Sequence, residues 1–363
     1  MNFHSAIFSK YLSDDDIGKI LSDEEFIRKI FEFEIVLAKE QSRLGIIPES
    51  ASNEIRMLLS ELKIQPGDLA DGTLKNGIPL IPLLEIIKEK LSVECRQYLH
   101  FGTTSQDVMD SALVLTLQDA FAIINERLAN LQLNLSKLRE KYGETPCMAR
   151  TRGQLAVPIT FAQKINAWLY PLQRQAHRIK GMEADVLKVQ LGGAAGDLAA
   201  FGKKGEHLSE AIAKALRLSR ASSWHTQRDG LCEFTNWLAL TSGILGKMGA
   251  DLLVMAQSEV GEIAENAEGG GKSTAMLHKN NPILSEALVA LAKLNAGLQS
   301  QMLLSVIHEN ERDATAWILE WSCIPQMLMN TGTALKHALT ISINLKVNTD
   351  VMKKNVERFQ NKD

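Results

Sequence analysis

Apolar residues recur along this chain at spacings of three and four, the repeat of one face of an α-helix. The clearest stripe is Leu231, Phe234, Leu238, Thr241, Leu245, Met248, Leu252 and Met255. A second runs through Leu117, Phe121, Ile124, Leu128, Leu131, Leu135 and Leu138 and stops near Gly143. Phe161, Ile165, Trp168 and Leu172 predict a helix opened by Pro158 and reaching about Val189. Leu284, Leu288, Leu291, Leu298 and Met302 predict another from Pro282, and apolar sequence from Trp317 to about Leu345 a fifth. No proline falls between Pro171 and Pro282, as long uninterrupted helices require. Strand signals are nearly absent. The pattern predicts an all-α fold with an elongated central bundle of about five long helices. Seams this long and apolar exceed what one bundle buries, so oligomerisation through the same helices is expected.

The first hundred residues read as shorter helices separated by turns. Ser22-Asp23-Glu24-Glu25 opens a helix that runs to about Leu44 and stops at Gly45, with Phe26, Ile30, Phe33 and Leu37 on its apolar side. Pro48 starts another through Ile55, Leu58, Leu59 and Leu62, and Leu83 to Leu91 forms a third. Asn348-Thr349-Asp350 caps a last short helix. The expected organisation is an N-terminal helical domain over 1–104, the long-helix bundle over 105–347 and a short tail over 348–363.

Composition narrows the function classes. The net charge is −3, and no Lys/Arg-rich block appears, which argues against nucleic-acid binding. No uninterrupted apolar run is long enough to span a bilayer. The four cysteines form no Cys-x-x-Cys pair and the N-terminus has no signal-peptide pattern, so a reducing cytoplasm is the expected location.

Polar residues concentrate where the helical pattern breaks: His100–Asp107, Arg150–Gln154, Trp224–Arg228 and Gly269–Asn281. The last reads Gly-Gly-Gly-Lys-Ser-Thr-Ala-Met-Leu-His-Lys-Asn-Asn and is closed by Pro282. Asn281-Pro282 predicts a helix N-cap followed by proline at the first helical position. A mobile cationic loop is thus delivered onto a helix N-terminus, which favours an anion. It is not a phosphate-binding P-loop: the first glycine of that motif would fall at Asn266, and no strand precedes it. Each segment also has a plain structural reading. Thr104 or Ser105 is a good helix cap with Asp107 in the first turn, Arg150 and Arg152 could be solvated charges, and His225 a packed histidine. Together they supply cations, hydroxyls and three histidines, with no metal-ligand spacing and no cofactor fingerprint. That set suits a small polycarboxylate held by Arg, Lys, Thr and Ser, with proton transfer by a hydroxyl or imidazole.

The segment Ser273-Thr-Ala-Met-Leu-His-Lys-Asn-Asn-Pro282 resembles the signature of the fumarase/aspartase superfamily, Gly-Ser-Ser-x-Met-Pro-x-Lys-x-Asn-Pro. His100–Asp107 and Ala149–Gln154 resemble its other two signature regions. Within the superfamily, Trp224-His-Thr-Gln-Arg-Asp229, Leu191-Gly-Gly-Ala-Ala-Gly196 and Glu309–Trp321 are similar to the bacterial 3-carboxy-cis,cis-muconate cycloisomerases. The likeness covers nearly the whole chain. It implies a fumarase/aspartase-like homotetramer with active sites shared between subunits, and no cofactor. The family often adds a small C-terminal helical domain, and this chain resembles a short form. The implied reaction is lactonisation of 3-carboxy-cis,cis-muconate to a carboxymuconolactone, in the protocatechuate branch of aromatic breakdown.

By motif position, Ser273 aligns with the superfamily's catalytic serine, and Lys279 and Asn281 with its substrate-binding lysine and asparagine. The resemblance implies that Thr104, Ser105, Arg150, Thr151, Gln154, Gln227 and Arg228 bind the substrate, while His100 or His225 assists proton transfer. Several lyases of the superfamily have a histidine where this chain has Arg152. The loop departs from the signature at Lys272, Thr274, Leu277 and Asn280. Two alternatives therefore stand beside the cycloisomerase: a lyase of the adenylosuccinate or argininosuccinate type, and an inactive helical tetramer.

Overall fold

The computed structural model describes residues 5–265, 271–276 and 279–360. Two short helices, α1 (Ser9–Leu12) and α2 (Asp15–Ile20), lead into α3 (Asp23–Arg43). Ser22 caps α3 by accepting from the Glu25 N–H, and Gly45, at φ 63°, turns the chain just beyond its end. Then come α4 (Glu49–Glu61), α5 (Ala70–Asn76) and α6 (Leu80–Lys90). The long helices are α7 (Ser105–Tyr142), α8 (Phe161–Val186), α10 (Asp229–Met255), α11 (Ile283–Leu304) and α12 (Ala314–Asn344); α9 (Gly205–Leu216) and α13 (Thr349–Gln360) are shorter.

Side-chain contacts fix how the long helices run. Near their starts, α7 and α12 meet the residue that opens α10, through Asp110, Glu320 and Arg228. Farther along, Asn134 of α7 bonds Ser342 of α12. These three helices are therefore parallel. Early in α8, the Trp168 indole donates to Asp251 late in α10, while Trp237 donates to the Gln175 carbonyl, so α8 runs the other way. Helix α11 is likewise antiparallel to α10. Its Asn295 bonds Ser242 at 2.7 Å and Thr331 at 2.9 Å, a buried polar stitch that fixes the relative register of three helices. At Gly249 a Cβ would stand 2.6 Å from the Ser285 carbonyl oxygen, so α10 and α11 pack as closely as backbones allow. Among the described residues α10 is the helix long and apolar enough to cross a bilayer. Its Trp237, Leu238, Leu245 and Leu252 are buried in the core, and it packs on α8, α11 and α12 as the bundle's central helix.

Strand among the described residues is confined to two short antiparallel pairs, and the larger one corrects the expected start of α8. Strands β1 (Pro146–Thr151) and β2 (Gln154–Thr160) form an antiparallel hairpin, with Thr151 paired to Gln154. The two-residue turn is Arg152-Gly153, at φ 53° and 81°, the left-handed geometry that suits the twist of a hairpin. Pro158 therefore sits in β2, opposite Met148, and does not open the helix, which begins at Phe161. Proline is tolerated there because the ribbon has only two strands and both are edges. A smaller pair, β3 (Ile263–Ala264) with β4 (Lys346–Val347), lies at the same end.

Candidate active site

One end of the bundle gathers His100–Asp107, the 190–196 segment, Ser223–Arg228 and the start of α12. Its centre is Asp107, fully buried in the first turn of α7. The Thr104 N–H donates to its Oδ2 at 3.0 Å, which is the return half of a capping box. The Gly192 and Gly193 N–H groups donate to its two oxygens at 2.9 Å each. The His225 Nε2 lies 2.8 Å from Oδ1. Three chain segments far apart in sequence thus converge on one carboxylate. Arg312 closes the rim by donating to the Ala194 carbonyl at 2.7 Å. His100 adopts φ 60°, and its Nδ1 stands 2.7 Å from the buried Glu34 and 3.0 Å from the Thr103 hydroxyl. Ser105 is half-buried at the helix start, whereas Gln227 is exposed and bonds the Ser223 carbonyl.

Arg228 is not available to a substrate carboxylate, which corrects the sequence expectation. Its guanidinium has no exposure. It donates to both oxygens of Asp110, at 2.7 and 3.0 Å, and to both of Glu320, and it stacks on Trp224. Two carboxylates hold it charged despite burial, while burial pushes Glu320 above the usual carboxylate range. Trp317 completes the cluster by donating to Asp110 at 3.1 Å. The neighbouring His308 is pushed below its usual value by burial and by the Arg228 charge.

The opposite end carries the hairpin and the loop. Thr151, Arg152 and Gln154 are exposed at the hairpin tip. Arg150 lies 3.6 Å from Glu262, a carboxylate with no exposure that also accepts from Asn355 of α13. The loop is pinched at its base. The Asn281 N–H donates to the Gly271 carbonyl, and Lys272 pairs with Asn280. Beyond the pinch, the Ser273 hydroxyl oxygen accepts from the N–H groups of Ala275 at 3.3 Å and Met276 at 3.1 Å. Lys279 is exposed. Gly269, Gly270, Leu277 and His278 lie outside the described residues. The expected Asn281 cap is replaced. Helix α11 begins at Ile283, and the Glu265 carboxylate accepts from Leu284 at 2.7 Å and Ser285 at 2.8 Å. A carboxylate serves this helix end better than a neutral amide, because it also meets the positive end of the helix dipole.

The two groups of residues are far apart in one chain. Arg228 precedes α10 and Glu262 follows it, and the 27 residues of α10 span about 40 Å at 1.5 Å per residue. Ser273, Lys279 and Arg150 therefore stand at one end, and Thr104, Ser105, His100 and His225 at the other. Asp107, Asp110, Glu262, Glu320 and Arg312 are not among the site residues that the sequence predicts. The available signal was the pair Asp107 and Asp110, three apart on one face of a predicted helix.

A family described as lyase matches residues 10–294. The chain belongs to that family, and its all-α architecture is that of the fumarase/aspartase fold. It is similar over most of its length to 3-carboxy-cis,cis-muconate cycloisomerases. The one from Acinetobacter baylyi is 33% identical over 97% of this chain and 80% of its own. The crystal structure of 3-carboxy-cis,cis-muconate lactonizing enzyme from Pseudomonas putida superimposes with a TM-score of 0.93 at 33% identity, covering 98% of this chain and 80% of that one. An N-acetyl-S-(2-succino)cysteine lyase from Dickeya dadantii is 32% identical over 94% of this chain and 76% of its own.

Proposed function

We propose that this chain lactonises 3-carboxy-cis,cis-muconate to a carboxymuconolactone, in the breakdown of aromatic compounds. The observation that carries the reading is the likeness to cycloisomerases over 97% of the chain, matched by the fold. In the reaction one substrate carboxylate oxygen bonds an alkene carbon. The π electron pair moves to the adjacent carbon and is delocalised into the carboxylate beside it. A proton then adds to that carbon. The acid forms of substrate and product are isomers, so no cofactor or co-reactant is required. A carboxylate charge is consumed, so one proton is taken up per turnover.

The roles follow from motif position and from what each group can do. Arg150, Lys279, Asn281, Thr104, Ser105, Thr151 and Gln154 hold carboxylates, and positive charge stabilises the aci-carboxylate. Ser273 moves the proton. The two N–H groups aimed at its oxygen support this role, because they lower the cost of negative charge on a hydroxyl that is otherwise a poor base. His100 or His225 assists. The site is completed between chains: association that brings the Ser273 end of one copy to the His225 end of another joins what α10 separates, consistent with a homotetramer. The cytoplasm is the compartment proposed.

Ultraviolet absorbance of 3-carboxy-cis,cis-muconate tests the reading. The purified protein should remove the conjugated diene, and Ser273→Ala should lower kcat by about 10²- to 10⁴-fold. The similarity to a succinocysteine lyase favours a second reading, elimination of a thiol from a succinyl thioether. An unchanged diene together with thiol release from that substrate would establish it in place of the first.

A further inference from the structure

Asp107 accepts from more groups than any helix cap needs. The N–H groups of Thr104, Gly192 and Gly193 and the side-chain amide of Gln190, at 3.4 Å, can only donate. A carboxylate surrounded in this way can only accept from its remaining partner, the Nε2 of His225. The ring proton facing it must therefore sit on Nε2. The backbone of His225 is fixed as well, since Gln106 donates to its carbonyl at 2.9 Å. The other ring nitrogen, Nδ1, is buried and has no hydrogen-bond partner among the described residues. It faces the Gly196 side of the turn whose first N–H groups Asp107 also holds. A buried ring nitrogen with no partner among the described residues costs stability, so it calls for one.

We propose that Asp107 is a positioning residue of the reaction. It sets His225 as the Nε2–H tautomer, leaves Nδ1 as the ring's unpaired acceptor for exchange with the substrate, and ties this to Thr104 at the helix start. The inference builds on the lactonisation reading for its kinetics but not for its geometry. In Asp107→Asn a single oxygen replaces two. It can serve Thr104 and Gly193, or Gly192 and His225, but not both pairs. With the amide nitrogen toward the imidazole, Nε2 must accept and the proton moves to Nδ1, leaving no acceptor where one was open.

Nitrogen-15 NMR of the histidine-labelled protein, with the His225 signals assigned from their absence in His225→Gln, reads the tautomer directly. The wild type should carry a proton on Nε2, and Asp107→Asn should shift it to Nδ1. In turnover of 3-carboxy-cis,cis-muconate, Asp107→Asn should lower kcat on the order of 10²-fold or more, with KM changed by less than about threefold. The double variant Asp107→Asn/His225→Gln should be no slower than His225→Gln within about threefold. An unprotonated Nε2 in the wild type overturns the proposal. So does an Asp107→Asn enzyme of wild-type kcat, or a double variant whose losses multiply. If the wild type leaves the muconate untouched, the lactonisation reading fails while the tautomer still decides the role of Asp107. If Asp107→Asn does not fold, the wild-type spectrum decides alone.

Discussion

Two arginines from the same set of polar segments end in opposite circumstances. Arg150 keeps one carboxylate neighbour at 3.6 Å and stands near the exposed hairpin tip. Arg228 is sealed between Asp110 and Glu320. Sequence could not separate them, because the partners of Arg228 lie 118 and 92 residues away along the chain. The family resemblance implies that Arg228 binds substrate, whereas burial makes it a brace joining α7, α10 and α12. Removing one member of such a buried set leaves the other charges without compensation. Arg228→Met should therefore destabilise the fold by about 3–5 kcal/mol, seen as a lower denaturant midpoint. Arg228→Met/Asp110→Asn/Glu320→Gln should recover part of that loss, because the uncompensated charges leave together.

Among the elements, the loop at 271–281 depends on one backbone conformation. Gly271 has φ 74°, and a Cβ there would stand 2.0 Å from the Asn281 carbonyl oxygen. Gly271→Ala should open the pinch, lower kcat by about 10²-fold through misplacement of Ser273, and leave the thermal midpoint within a few degrees of wild type. The long helices were legible because their apolar residues repeat over many turns: α10 and α12 fall within two or three residues of the expected bounds. The hairpin was not. Its β2 strand leaves Leu155 and Val157 exposed, and β1 buries the consecutive residues Cys147 and Met148, so neither strand shows the alternation that signals a half-buried sheet. Its register comes instead from the Arg152-Gly153 turn and from a one-residue shift between Met148 and Arg150. The cap of α11 is hidden for a related reason. Asn281-Pro282 has the local form of a helix start, but Glu265, reaching across from the far side of the loop, takes the N–H groups.

For the whole molecule, the long axis of the bundle separates the Ser273 end from the His225 end. Leu294, Leu303, Leu304 and Ile307 along and beyond α11 are more than half exposed, as are Ile318 and Ile343 on α12. Apolar surface along long helices is what a partner helix would cover. The proposed sharing of sites between chains gives a sharp expectation. Ser273→Ala and His225→Gln proteins, each nearly inactive alone, should regain up to roughly a quarter of wild-type activity when unfolded together and refolded as a mixture, by random assortment of subunits. Unmixed controls should regain none. Because α10 holds the two residues about 40 Å apart within one chain, recovery that is absent from mixtures shown to contain hybrid oligomers would mean that they do not act at one shared site.

The two flanks of the loop are also tied to opposite parts of the chain. The Tyr11 hydroxyl donates to the Ile283 carbonyl at 2.7 Å, while Asn348 and Asn355 donate to the carbonyls of Gly261 and Val260. During synthesis Tyr11 emerges early and must wait for residue 283, and the flank at 260–262 must wait for α13. The bundle helices can therefore begin to pack on the ribosome well before the loop is braced. Bracing of the loop proposed to carry the catalytic serine comes last in the life of each new chain, and a polypeptide stalled before α13 would have most of its core and an unbraced loop flank.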